Sequence, residues 1–219
     1  MNRAAFFDVD NTLVTLTSMF SFLRYDVLAS GRPLSDYQRA MDDLRAFKAA
    51  GASREEANRR FYRQFARRSV DEVMTRGAEW FRAECAFDPE VLAALGEHSR
   101  AGDLVVLVSG SFPPCLRPIA DHVRADGVLC SHPETVAGRY VGTLFSPMIG
   151  ERKAVAIQAE AAARNIDLSA SYAYGDHGSD LPMLRLVGHP VVVGDDPEMT
   201  ELAIRHGWSR MAQGVDRAS

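Results

Sequence analysis

Cysteine is scarce in this sequence: Cys85, Cys115 and Cys130 are the only three, far apart and without C-x-x-C or histidine spacing. An odd, scattered set argues against a disulfide framework or a zinc site and fits a reducing, cytoplasmic setting. Long apolar runs are missing as well. No stretch of roughly 18 uncharged apolar residues occurs, so no membrane-spanning helix is expected. The first residues, MNRAAFFDVD, reach acidic side chains too early for the apolar region of a signal peptide. Nor is there an excess of positive charge. The net charge of −4 gives no electrostatic basis for binding nucleic acid or an anionic membrane. Internal repeats and low-complexity segments are absent, and the tail AQGVDRAS is expected to fray. What remains is an ordinary globular composition, 47% hydrophobic and 25% charged over 219 residues. That suffices for one large domain, or one domain carrying a smaller insertion.

The hydrophobic pattern switches twice. RAAFFDVD reads as a short strand buried on both faces, because a continuous apolar run ending in polar residues suits a parallel sheet. From about Leu16 to Glu84 nearly everything has helical spacing, including SREEANRRFYRQFARR and SVDEVMTRGAEWFRAEC. Ser53 with Glu56, and Ser69 with Glu72, fit the capping-box spacing, and Gly51 separates two helices. From Asp88 strands alternate with helices: LVVLVSG, DGVLCS, SYAYGD and HPVVVGD, the last strand expected. ETVAGRYVGTLFSP reads as a hairpin with Gly138 in its turn. The alternation implies an α/β fold with a doubly wound, mostly parallel sheet. The expected division is a core of 1–15 and 86–219, interrupted after its first strand by a helical insertion at 16–85.

In such sheets ligands bind beyond the carboxyl ends of the strands. Four polar clusters fall there: Asp8 and Asp10 after the first strand, Ser109 with Gly110 after LVVLVSG, Lys153 opening a helix, and Asp176 followed by Asp180. Each has a bland reading. D-x-D-x-T can be a capped turn, Ser109 a helix cap, Lys153 a solvated side chain and GDHGSD a polar turn. Together, in this order at one sheet edge, they point to phosphoryl transfer.

The ordered set, DVDNT, VSGSF, GERK and YGDHGSD, resembles the four motifs of the haloacid-dehalogenase-like (HAD) superfamily, and within it the phosphoserine-phosphatase-like branch, subfamily IB. The resemblance implies a Rossmann-like core with a helical cap. It makes Asp8 the nucleophile that forms an acyl-phosphate, and Asp10 the acid that protonates the leaving alcohol and then activates water. Phosphate approaching two carboxylates needs a cation, and Mg²⁺, a hard ion with oxygen ligands, suits the task. Asp8, Asp176 and the Asp10 carbonyl would hold it, with Asp180 orienting bound water from one layer out. Ser109, Gly110 and Lys153 would cradle the phosphoryl oxygens, and Thr12 would order the nucleophile loop and bind there too. An acid at position 10 suits an oxygen leaving group.

The implied activity is a cytoplasmic phosphomonoesterase for a small metabolite ester, such as an amino-acid or amino-alcohol phosphate (phosphoserine or histidinol phosphate). Phosphomutase chemistry and a stoichiometric phosphoacceptor module are the alternatives. Two departures concern the substrate. Phosphoserine phosphatases typically carry Glu nine residues after the nucleophile, where this chain has Thr17, and their SGGF reads SGSF here, with Ser111. Arg59, Arg60, Arg63, Arg67 and Arg68 are candidates for binding a substrate anion, although a basic helix face is more often solvated. Met19, Phe20 and Phe22 are read as cap core with an option on the pocket wall, Trp80 and Phe81 as cap packing, and His177 as an exposed loop residue.

Overall fold

The computed structural model describes residues 1–214. Of the tail expected to fray, Ala212 to Gly214 are in place, and 215–219 lie outside the described residues. Along the chain, β1 (Ala4–Phe7) is followed by α1 (Ser18–Ala29), α2 (Leu34–Ala49), α3 (Arg54–Phe61) and α4 (Val70–Glu84). Then come α5 (Pro89–Ala101), β2 (Leu104–Ser109), α6 (Pro113–Val123) and β3 (Gly127–Cys130). A hairpin of β4 (Thr135–Val136) and β5 (Arg139–Tyr140) precedes α7 (Glu151–Arg164), β6 (Tyr172–Gly175) and α8 (Leu181–Leu184). The chain continues through β7 (His189–Val193), α9 (Pro197–His206) and β8 (Ser209–Met211).

Six strands form one sheet in the order β3-β2-β1-β6-β7-β8, and every neighbouring pair is parallel. β1 lies in the middle and is wholly buried because both sheet faces are covered. Its side chains alternate between two cores, as the two-residue period of a strand requires. Ala4 and Phe6 join Ile157, Met183, Val192 and Met199 beneath α7, α8 and α9. Ala5 and Phe7 join Val91, Leu95, Leu116 and Ile119 of α5 and α6. This second core continues without a break into the insertion, through Phe112 to Phe22, Phe61, Phe65 and Trp80.

The insertion is tied to the core at its root and its flank. The two crossing segments pair, Val14 with Phe87, and Asp88 donates its N–H to the Leu13 carbonyl at 3.0 Å. α4 lies so close to α6 that a Cβ on Gly77 would stand 2.0 Å from the Pro114 carbonyl oxygen. Glycine in mid-helix is here a packing requirement. The hairpin turns at Ala137 and Gly138, both with positive φ, and its strands bond Arg67, Arg68 and Val70 of the insertion.

Three local expectations need correction. HPVVVGD is not the last strand: α9 follows, capped by Asp196 with Pro197 at its first turn, and then β8 at the sheet edge. Ser-Arg-Met has no apolar alternation, and its first two residues are exposed, so no hydrophobic signal marks β8. SREEANRRFYRQFARR is not one helix, because α3 ends at Phe61 and a 3₁₀ turn covers Tyr62–Phe65. Ser53 and Glu56 form the full capping box, whereas at Ser69 only the serine half is made. Glu72 turns instead to Arg68, 2.6 Å away.

Candidate active site

The carboxyl ends of β1, β2 and β6 converge on one buried cluster. Asp8 follows β1 directly, and its N–H donates to the Tyr174 carbonyl of β6 at 2.9 Å, fixing the residue at the sheet edge. The chain then turns tightly, with Asn11 in the left-handed region at φ 60° and Thr12 N–H donating to the Val9 carbonyl. Asparagine tolerates that conformation better than most residues. The turn carries Asp10 to the start of α1, where its Oδ1 accepts from the Ser18 N–H at 3.0 Å.

Lys153 lies in the first turn of α7, entered through Gly150 at φ 57°. Its Nζ donates to Asp8 Oδ1 at 2.5 Å and to Asp180 Oδ1 at 2.7 Å, and all three side chains are buried. Burial alone would lower the lysine pKa, but Asp180 and Asp8 outweigh it and hold the ammonium above its ordinary value. Asp8, Asp176 and Asp180 each bring a carboxylate oxygen within 4.8 Å of the others. Thr12 is fully buried and donates its hydroxyl to Asp176 Oδ1 at 3.0 Å. Thr12 therefore stands behind Asp176 and is not among the residues that line the cavity.

The cluster is short of positive charge. Burial raises the Asp8 pKa well above normal; Lys153 pulls it down, and the neighbouring acids push it up. Asp10 is raised by burial, partly offset by the Ser18 bonds. Asp176 is pushed up to about 6 by burial and by Asp180's charge. Lys153 is the only basic side chain bonded to these carboxylates among the described residues. A close set of oxygen donors with uncompensated negative charge fits a hard divalent cation.

Above the cluster lies a cavity of about 200 Å³ between core and insertion. Asp8, Asp10, Ser109, Gly110, Lys153 and Asp180 form its floor, whereas Asp176 does not reach it. Ser109 is buried at the end of β2, and its Oγ accepts from the Ser111 N–H at 3.0 Å. Ser111, the residue that departs from the glycine pattern, accepts from the Ser18 hydroxyl at 2.9 Å and so ties this loop to α1.

The insertion contributes residues that sequence reasoning missed. Gly110's carbonyl accepts from Asn58 Nδ2 at 3.2 Å and from the Tyr62 hydroxyl at 3.1 Å. A signal was present: Asn58, Phe61, Tyr62 and Phe65 fall at i, i+3, i+4 and i+7, so a polar residue occupies a position on the apolar stripe. Lys48 and Arg54 also line the cavity, and no motif pointed to them. The five arginines considered for substrate binding do not line it. Arg60 pairs with Asp43, Arg68 pairs with Asp26 and Glu72, and Arg59 and Arg63 face a separate groove beside the hairpin. Met19, Phe20 and Thr17 are on the cavity wall, Phe22 and Trp80 are in the core, and Phe81 packs on Phe87 and His122. His177 is exposed, and its Nδ1 accepts from Ser179 N–H in the turn that leads to Asp180.

Known proteins share this arrangement of sequence and fold. The model of the haloacid dehalogenase-like hydrolases matches residues 5–185. A phosphoserine phosphatase, SerB1, from Mycobacterium tuberculosis is 31% identical over 95% of this chain and 70% of its own. A histidinol-phosphatase from Neisseria meningitidis is 27% identical over 95% of this chain and 97% of its own. The crystal structure of a Bordetella pertussis protein of unknown function superposes with a TM-score of 0.86 at 26% identity, covering 96% of this chain and 98% of that one. The family match takes in the insertion and all four polar clusters, and the chain belongs to the haloacid dehalogenase-like hydrolase family.

Proposed function

We propose that this chain is a magnesium-dependent phosphomonoesterase working through an aspartyl-phosphate, with 16–85 as the cap over a core of 1–15 and 86–219. The observation that carries the reading is the buried Lys153 bridge between Asp8 and Asp180 on the floor of a cavity. Asp8 Oδ1 is occupied by the lysine, and Oδ2 has no hydrogen-bond donor among the described residues, which leaves it available for attack. That oxygen attacks phosphorus while the ester P–O bond breaks. Asp10 gives its proton to the departing oxygen; its second oxygen is free because Ser18 holds only Oδ1. The raised pKa of Asp10, caused by burial, populates the acid form that this step needs. In the second half, Asp10 takes a proton from water, the water oxygen attacks phosphorus, and the Asp8 carboxylate leaves. Lys153, Ser109 and the amides around Gly110 face the phosphoryl oxygens from the floor.

Asp8, Asp176 and the Asp10 carbonyl would hold Mg²⁺, which supplies charge neutralisation for the phosphoryl group. The relatives named above make phosphoserine and histidinol phosphate the first esters to try. A phosphoacceptor module is disfavoured, since it has no use for an acid at position 10 beside a cavity. Phosphate release from p-nitrophenyl phosphate with Mg²⁺, and its loss with a chelator, tests the assignment. Asp8→Asn should abolish turnover; a purified variant that keeps it would sink the reading.

A further inference from the structure

The cap side of the cavity carries a charge pattern that bears on the leaving group. Its acids, Asp8, Asp10 and Asp180, all belong to the floor, and no carboxylate stands on the wall. The wall instead holds Lys48, from the last turn of α2, and Arg54, at the first turn of α3. Most other cap cations are neutralised: Arg24 by Glu84, Arg32 and Arg39 by Asp36, Arg45 by Asp42, Arg60 by Asp43 and Arg68 by Asp26. Lys48 and Arg54 have no carboxylate partner among the described residues, and Arg54 reaches only the His177 ring nitrogen, at 3.1 Å. The wall also holds apolar Met19, Phe20, Leu44, Phe61 and Ile149, and Arg54 stands near enough to the floor for its charge to act on Asp10. Asn58 is buried and spends its Nδ2 on Gly110, while its Oδ1 has no partner.

We infer that the ester this cavity accepts has an alcohol part without an ammonium group, with apolar surface against the wall and a carboxylate or second phosphate lying toward Lys48 and Arg54. An ammonium there would meet two like charges and no counter-ion on the wall, because Thr17 supplies only a hydroxyl. The inference rests on the phosphomonoesterase reading, and it departs from the amine-bearing esters that the relatives' names suggest.

Three phenyl phosphates test it, bearing para-CH₂COO⁻, para-CH₂CONH₂ and para-CH₂NH₃⁺, so that the phosphate and the leaving oxygen stay alike. With Mg²⁺ present, kcat/KM for the carboxylate should exceed that for the ammonium ester by about tenfold or more, with the amide between them. Lys48→Ala and Arg54→Ala should each narrow that ratio, and the double variant should bring it near one. A ratio within one enzyme cancels partial misfolding. Equal or reversed preference in the wild type would overturn the inference. So would a preference that survives the double variant, or a uniform loss across all three esters, which would mean that the two cations hold the transferred phosphate itself. Absence of phosphate release from every ester would instead sink the phosphomonoesterase reading.

Discussion

Replacing Asp176 by Asn should stabilise the metal-free protein while destroying its activity. Asp176 titrates near 6 in the fold, against an ordinary 3.8, because burial and Asp180 penalise its charge. That difference of about two units corresponds to roughly 3 kcal/mol of strain when the group is ionised. Partial exposure screens the interaction, so about 1–2 kcal/mol is the expected gain. Asn keeps an oxygen that can accept the Thr12 hydroxyl, so the variant removes charge without orphaning a donor. The sign follows from the direction of the shift. A folded pKa above the unfolded one means that the penalty is absent below the unfolded value and fully present above the folded one. The advantage of Asp176→Asn in urea unfolding with chelator should therefore be greatest near about pH 7.5 and fall by about half near about pH 5. Saturating Mg²⁺ should reverse the order, since ligand at about a hundred times its dissociation constant adds about 2.7 kcal/mol to the protein that binds it. A metal-free variant that is less stable than wild type at neutral pH, or one whose advantage ignores pH, would refute the crowded-acid account.

The remaining predictions probe separate links. Gly77→Ala should destabilise by about 1–3 kcal/mol in chemical denaturation, because the new Cβ would meet the Pro114 carbonyl; helix propensity alone predicts a gain of about 1 kcal/mol, so the sign decides. Asp10→Asn should slow alkyl phosphate hydrolysis by about 10²–10⁴-fold and p-nitrophenyl phosphate less in its first half. Rapid-quench kinetics should then show a burst of nitrophenol near one per enzyme, and equal losses on both esters without a burst would count against Asp10 as the leaving-group acid.

The sheet was legible because each strand's pattern reports its surroundings. AAFF and LVVLV are apolar throughout because both faces are covered, and their alternating residues feed two different cores. β8 was not legible: a three-residue edge strand makes its bonds through the backbone, and Ser209 and Arg210 face solvent. The floor of the cavity could be read because Asp8, Ser109, Lys153 and Asp180 follow strands or open helices at fixed chain positions. The ceiling could not, since Lys48, Arg54 and Asn58 reach it only through the way α2 and α3 fold back over β2's loop. Charge runs misled as well. In the arginine-rich stretch after Asn58, Arg60 and Arg68 satisfy acids within the insertion, and the insertion's two cations that face the cavity, Lys48 and Arg54, lie upstream of it.

The same packing argues about how a substrate enters. Phe22 and Phe65 of the insertion lie against Phe112 of the core with ring centroids 5.8 and 5.0 Å away, and all three are fully buried or nearly so. Exposing each would cost about 2–3 kcal/mol, before the Ser18–Ser111 bond and the Gly77–Pro114 contact are counted. Lifting the whole insertion is thus expensive on the scale of a domain's total stability. α2 is held less firmly, with only Ala40, Met41 and Leu44 buried among its sixteen residues. Together with the loop at Gly51 it forms the part of the wall that carries Lys48 and leads to Arg54. Entry by displacement of α2 and the start of α3 keeps the aromatic seam closed and leaves Asn58 and Tyr62 on Gly110, so the phosphate-facing loop stays formed while the leaving-group wall moves.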